Sequence, residues 1–322
     1  MKKTIIYILG TLAILVVLLA IKNVFFNNKV NEDLDRAPDL VINNLNEYGL
    51  SKTLNEGLDL KKPRGITFYD KNLLVADSDN NRLLIIDLNG KIIKEVGKAG
   101  NGECEFIKPQ GTAVDNKNNI YVLDSGNYRV QILNSKFEFV KQIPIKELKD
   151  KDVVMTDIAV TSAKDIYISV ETTIKKYGHI YVVSESGQVD KIGEGLVGHL
   201  AINNDIVYFA TGASFYKTDN REGVRGGEGK LLVIKNKKII ETFGLSYKYN
   251  PEGMFFDNNK LYIISGAFVT LDRYNLKGKY EGTVYKGGFE EQQMMSCCII
   301  DNEKNIYISD WQKNAIYKLT KN

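Results

Sequence analysis

Two stretches of this chain superpose almost residue for residue. Pro63-Arg64-Gly65-Ile66 leads to Leu74-Val75-Ala76-Asp77-Ser78-Asp79-Asn80-Asn81-Arg82, and Pro109-Gln110-Gly111-Thr112 leads to Tyr121-Val122-Leu123-Asp124-Ser125-Gly126-Asn127-Tyr128-Arg129. A copy at such a distance means one supersecondary unit repeated and stacked, which constrains the fold more than any single element does. Fainter copies begin at Thr156-Asp157-Ile158, His199-Leu200-Ala201, Pro251-Glu252-Gly253 and Ser296-Cys297-Cys298. The corresponding position recurs at 65, 111, 157, 199, 253 and 297, so six units follow one another.

Each unit holds short runs of Ile, Val, Tyr and Leu separated by Asn, Asp or Gly turns, the pattern of strands. Four strands in roughly 46 residues is the size of a propeller blade. Six blades account for residues 49–322. The last unit reaches only its third strand at Ile316-Tyr317-Lys318-Leu319, and Gly49 to Glu56 stands where a fourth strand belongs. The expectation is an all-β, six-bladed β-propeller of four-stranded antiparallel blades, with the N-terminal strand closing the last blade so that no sheet edge gapes at the seam.

The motif Asp-Ser-x-Asn-x-Arg, after a Tyr-Val or Leu-Val strand and preceded by Pro-x-Gly, resembles the NHL repeat. The likeness is strong over 63–97 and 109–143, weaker over 251–286 and 294–320, and reduced to strand spacing over 155–240. It implies a membrane-anchored, bacterial-type six-bladed propeller with mainly binding functions, although some relatives are enzymes. Asp77, Asn80, Arg82, Asp124, Asn127 and Arg129 repeat with the architecture, so they read as structural. The carboxylate caps turn N–H groups and the guanidinium bridges neighbouring blades.

The N-terminus reads as a membrane address. Met1-Lys2-Lys3, a cytoplasmic tip, precedes an uncharged apolar run from Thr4 to Ile21. As a helix that run spans about 27 Å, close to the hydrocarbon thickness. Leu18-Leu19-Ala20 offers a small residue at only one of the two cleavage positions, which favours an uncleaved transmembrane signal anchor over a secretory signal peptide. Residues 22–48 are polar, rich in Asn, and read as a tether. The expected localisation is the cell membrane, single-pass, with the propeller on the extracytoplasmic side.

Antiparallel topology puts the interblade linkers and the loops between second and third strands on one face. That face carries the long insertions, Gly212 to Lys230 with Arg221 and Arg225, and Thr172 to His179. Rigid rings usually place function on such loops. The start of each innermost strand lines the channel mouth there, where Arg64, Gln110, Asp157, His199 and Glu252 form a candidate grip for a polar ligand or peptide end. His179 is expected in a loop.

Composition narrows the chemistry. Two His and three Cys leave little material for a ligand cluster, so no cofactor and no metal is expected. Lactonase-type propellers hold Ca²⁺ with a Glu opening the first blade, where this chain has Arg64. Lyase-type propellers rely on several His. A divergent lyase or hydrolase using His199 with Asp157 or Glu252 is the alternative to a binding role toward a protein, peptide or envelope ligand. Cys104, Cys297 and Cys298 are odd in number and read as buried free thiols, with a Cys104–Cys297 bridge as the other possibility. Lys plus Arg is 43 against 40 Asp plus Glu, and no basic stripe with stacking aromatics appears, so nucleic acid is not an expected partner.

Overall fold

A computed structural model describes residues 43–149, 153–172, 178–194, 197–212, 214–218, 221–225, 229–245, 251–265, 269–287 and 295–322. The expected anchor, 4–21, and most of the tether lie outside these residues. Among the described residues no helix is long and apolar enough to cross a membrane.

Six four-stranded antiparallel sheets follow in chain order. Blade one is Pro63–Tyr69, Asn72–Asp77, Arg82–Ile86 and Ile92–Val96. The innermost strands of blades two to six are Pro109–Val114, Val153–Val160, Gly198–Asn203, Pro251–Asp257 and Met295–Ile300. Each innermost strand packs on the next, and that of blade six packs on that of blade one, which closes the ring. The fourth strand of blade six is Tyr48–Leu54, antiparallel to Ala315–Lys321, so the strand from the N-terminal side closes the last blade. The insertion of blade four forms a hairpin, Ser214–Thr218 with Arg221–Arg225.

The apolar core lies between blades. One cluster joins Tyr121, Leu123 and Ile132 of blade two to Ile158, Ile166 and Ile168 of blade three, and another joins Tyr262 and Leu271 of blade five to Ile306, Ile308 and Leu319 of blade six. A propeller blade is buried on both faces, so its middle strands read as continuous apolar runs, as in Leu73-Leu74-Val75-Ala76, all fully buried. Near the axis the strands come close enough to exclude side chains. A Cβ on Gly65 would stand 2.7 Å from the Gly111 Cα, and one on Gly253 would stand 2.8 Å from the Cys297 Cα.

The repeated aspartate and arginine hold the linkers. Asp77 accepts the Lys61 N–H at 2.7 Å, the Asn80 amide at 2.8 Å and the Arg82 Nε–H at 2.8 Å. Arg82 also donates to the Leu58 carbonyl at 2.8 Å. Asp124 repeats this with Ile107 N–H, Asn127 and Arg129, and Arg129 reaches the carbonyls of Asn101, Gly102 and Glu105. The arginine therefore pins the segment entering its own blade, where the sequence reading had it bridge neighbouring blades. The blade-to-blade bridge is made by the left-handed turn residue instead: Asn81 accepts the Lys108 N–H at 2.9 Å, and Asn314 accepts the Lys62 N–H at 2.8 Å.

Two further expectations change. His179 lies on a strand, Gly178–Val183, because the second strand of blade three continues to Thr172 and pairs with it. The end of the expected tether packs on the ring. Leu45 N–H donates to the Thr283 carbonyl, Thr283 N–H donates to the Asn43 carbonyl, and Glu47 pairs with Arg273 at 2.7 Å.

All three cysteines are free. A Cys104–Cys297 bridge does not form, since Cys104 Sγ faces the Phe137 carbonyl at the rim of blade two while Cys297 Sγ faces the Ile66 carbonyl on an innermost strand.

Blade five lacks the Asp–Arg pair, with Ser265 opposite Thr270 in its place. Two residues on, Asp272 is buried with no cation, accepting hydrogen bonds from Thr270 at 2.8 Å and from Thr283. Burial pushes its carboxyl up to about 6, against the lowering effect of the two threonines. A raised folded-state value favours the protonated form, so this stabilisation is present below about pH 4 and is lost as pH rises through about 6. Asp272→Asn is expected to remove that loss, worth about 3 kcal/mol at pH 7.5, as chemical denaturation at pH 4 and 7.5 would measure. Arg129→Ala leaves Asp124 buried and uncompensated and is expected to cost about 3–5 kcal/mol in the same assay. Arg82→Ala is expected to cost less, because the Arg82 side chain is 14% exposed against 7% for Arg129.

Candidate functional site

The innermost strands begin at the mouth of the channel, and residues 157, 199 and 252 stand on the strands of blades three, four and five. A register shift between Met155 and Asp157 turns the Asp157 side chain toward the next blade, where a regular strand would alternate. Its Oδ1 accepts the Ile158 N–H at 2.8 Å and its Oδ2 accepts the Leu200 N–H at 2.9 Å. Those donors hold the carboxylate in place and in register with blade four.

His199 is set against this carboxylate, with Nδ1 at 3.3 Å from Asp157 Oδ2 and Nε2 at 3.8 Å from Glu252 Oε2. Its side chain is only 12% exposed. Burial is the largest single influence and lowers its pKa, but the Asp157 contact and charge, followed by Glu252 and Glu171, outweigh it and leave the imidazole raised above its usual value. The two carboxylates thus favour the charged ring, in which both nitrogens carry hydrogens and act as donors.

Arg64, on blade one, extends its guanidinium over Trp311, 4.3 Å from the ring centroid. Burial lowers its pKa, opposed by the charges of Glu252, Glu171 and Asp79. Arg64, Asp157, His199 and Glu252 are thus brought into one electrostatic group. Gln110 is turned aside, donating to Ser78 Oγ at 3.1 Å. Arg221 and Arg225 stand at the ends of one hairpin strand, and their side chains lie outside the described residues. Cys297 adjoins the group, but burial, with the Asp157 charge adding, pushes its thiol up to about 12, so it is no nucleophile at neutral pH.

Two members of the group escape the sequence reading, Glu171 and Trp311. By register both occupy the slot that Ser78 and Ser125 fill in the regular blades, Trp311 just after its second strand and Glu171 within the longer second strand of blade three. Aligning that slot across all six units would have exposed them.

As a cation site the mouth fits badly. Among the described residues no three His, Cys, Asp or Glu converge in a way that could hold a metal ion. Asp157 has both oxygens engaged by backbone N–H groups, and Arg64 supplies a fixed positive charge.

His199→Gln leaves one histidine, so proton NMR assigns the two titrations directly. The His199 ring is expected to titrate above the ordinary histidine range, and Glu252→Gln is expected to bring it down by removing one of the carboxylates. An unchanged midpoint in that variant would contradict the geometry.

Residues 53–211 match the sequence model of a family described as "6-bladed beta-propeller". Over 80 residues the chain is 31% identical to NHL repeat-containing protein 2 of Gallus gallus, a match covering 23% of this chain and 11% of that protein. Among solved structures, a gluconolactonase of Xanthomonas campestris superposes with TM-score 0.60 at 13% identity, covering 86% of this chain and 95% of that one. Virginiamycin B lyase of Staphylococcus aureus superposes with TM-score 0.57 at 16% identity, covering 85% and 99%. At such identities the superpositions speak for the fold. Repeat motif, closed ring and family match together make this chain a six-bladed β-propeller whose repeats resemble the NHL type.

Proposed function

We propose that the ring is a binding module that takes a protein, peptide or envelope ligand on its loop-rich face, with the channel mouth as the point of grip. In the same reading the apolar run 4–21 holds the protein at the cell membrane and the ring lies on the extracytoplasmic side. The observation that supports the binding role is the convergence of Asp157, His199 and Glu252 from three successive blades at one half-buried spot. Such a group offers fixed donors and acceptors to a polar ligand. It offers nucleophilic chemistry poorly, since the carboxylates favour the charged form of His199 and burial favours the neutral thiol of Cys297.

A second reading, a divergent lyase or hydrolase, has one observation in its favour: a histidine whose protonated form is favoured by an adjacent carboxylate suits a general acid. The fold likeness to a lyase and a lactonase is in keeping with it.

Photo-crosslinking of the full chain in membranes, followed by pull-down, tests the binding role. Glu252→Gln and His199→Ala are each expected to lower partner recovery by about tenfold, the loss typical of one charge-assisted contact. Full recovery in both variants would refute it. Turnover of a lactone or depsipeptide that His199→Ala abolishes would move the assignment to the second reading.

A further inference from the structure

The arginines of the repeat are saturated. Arg129 donates to three carbonyls, to Gln142 and to Asp124, and Arg82 donates to two carbonyls and two carboxylates. Arg64 differs: among the described residues its guanidinium donates no hydrogen bond and makes no ion pair. Its counterpart one blade on, Gln110, bonds the serine that follows the repeat aspartate, whereas the residue in that slot opposite Arg64 is Trp311. The base of the side chain is nevertheless fixed, because the Arg64 carbonyl accepts from Ser296 Oγ at 3.1 Å and from Ser309 Oγ at 2.6 Å. Stacking occupies a face of the guanidinium and leaves its N–H edge for an acceptor lying in the same plane. A planar carboxylate meets that edge with two parallel hydrogen bonds.

Charge decides which anions are admitted. Among the described residues three carboxylates, Asp157, Glu171 and Glu252, stand with at most two cations, Arg64 and His199, so the described part of the mouth carries an excess negative charge. A dianion adds to that excess. A molecule with one carboxylate and one ammonium does not, and its ammonium has Glu171 to face.

Resting on the binding role above, we propose that Arg64 stacked on Trp311 is the carboxylate subsite of the channel mouth, and that its ligand is a small zwitterion of the amino-acid type.

The chain has one Trp, so tryptophan fluorescence of the full-length protein, excited beyond tyrosine absorption, reports this stack alone. Alanine, N-acetylalanine, alanine methyl ester and inorganic phosphate separate the charges. Alanine is expected to change the emission saturably and N-acetylalanine to do so several-fold more weakly. Neither the ester nor phosphate is expected to give a saturable change. Arg64→Gln is expected to weaken the alanine response at least tenfold and Arg64→Lys less, each with an unchanged thermal midpoint that shows the ring intact. A response to phosphate or ester equal to that of alanine, no response to alanine, or an undiminished response in Arg64→Gln overturns the proposal. In the first of these the mouth still binds ligand and the broader binding role stands. That role falls only when, in addition, crosslinked partners survive both His199→Ala and Glu252→Gln.

Discussion

Each blade buries its apolar faces only against its neighbours, so the ring depends on the seam where its two chain ends meet. Were Tyr48–Leu54 to leave Ala315–Lys321, the edge of blade six would lie open and Tyr48 and Leu54, each 2% exposed, would enter solvent. Closure also depends on the axis, where Gly65 and Gly253 let adjacent strands approach as no side chain would allow. Repeat stacks of this kind are stabilised by nearest-neighbour contacts. Closing the stack into a circle gives every blade two neighbours and leaves the channel mouth as a rigid frame.

What could be read from the sequence followed from what the repeat encodes in side chains. The strand runs and the Asp, Asn and Arg of the turns carry regular spacing, so blade number, strand number and closure were all legible. Residues 43–47 were not. Their contact with blade five runs through backbone groups of Asn43 and Leu45 and one ion pair, Glu47 with Arg273, and a polar, Asn-rich stretch that adds to a sheet largely by its backbone looks the same as a tether. His179 was misplaced for a related reason: with the Asp–Arg motif gone from unit three, nothing marked where its second strand ends. Asp157 and His199 were found because they fall on the repeat position itself, and Glu252 because it stands just before it, in the slot of Arg64 and Gln110. Glu171 and Trp311 were missed because they replace a serine whose slot had been read as part of a structural turn.

The departures from the repeat are also where charge stops being satisfied within the architecture. In blades one and two the aspartate and arginine of the turn motif serve the fold, with Asp77 and Asp124 fully enclosed by donors. In blades three to five the motif lapses, and charged residues reappear at the mouth on the innermost strands. Burying a charge is costly unless it is paired, so a fold under pressure for stability alone would have filled the Asp157 and His199 positions with small or apolar residues, as Gly65 and Gly111 do in the corresponding slots. Asp157 shows the overlap of the two demands, since it ties blade three to blade four and polarises His199 with the same carboxylate.

That overlap bears on how such a mouth can evolve. Asp157 cannot be exchanged without loosening the frame, whereas the side chains of Arg64, Glu171, Glu252 and Trp311 project from backbones held by other groups. The Arg64 carbonyl is bonded by Ser296 and Ser309 whatever the side chain is. Ligand preference can therefore change at those four positions while the ring and the Asp157–His199 pair stay constant. A frame of fixed backbone and exchangeable side chains is also in keeping with rings that share this chain's fold at only 13–16% identity to it and carry unlike names, a gluconolactonase and a virginiamycin B lyase among them.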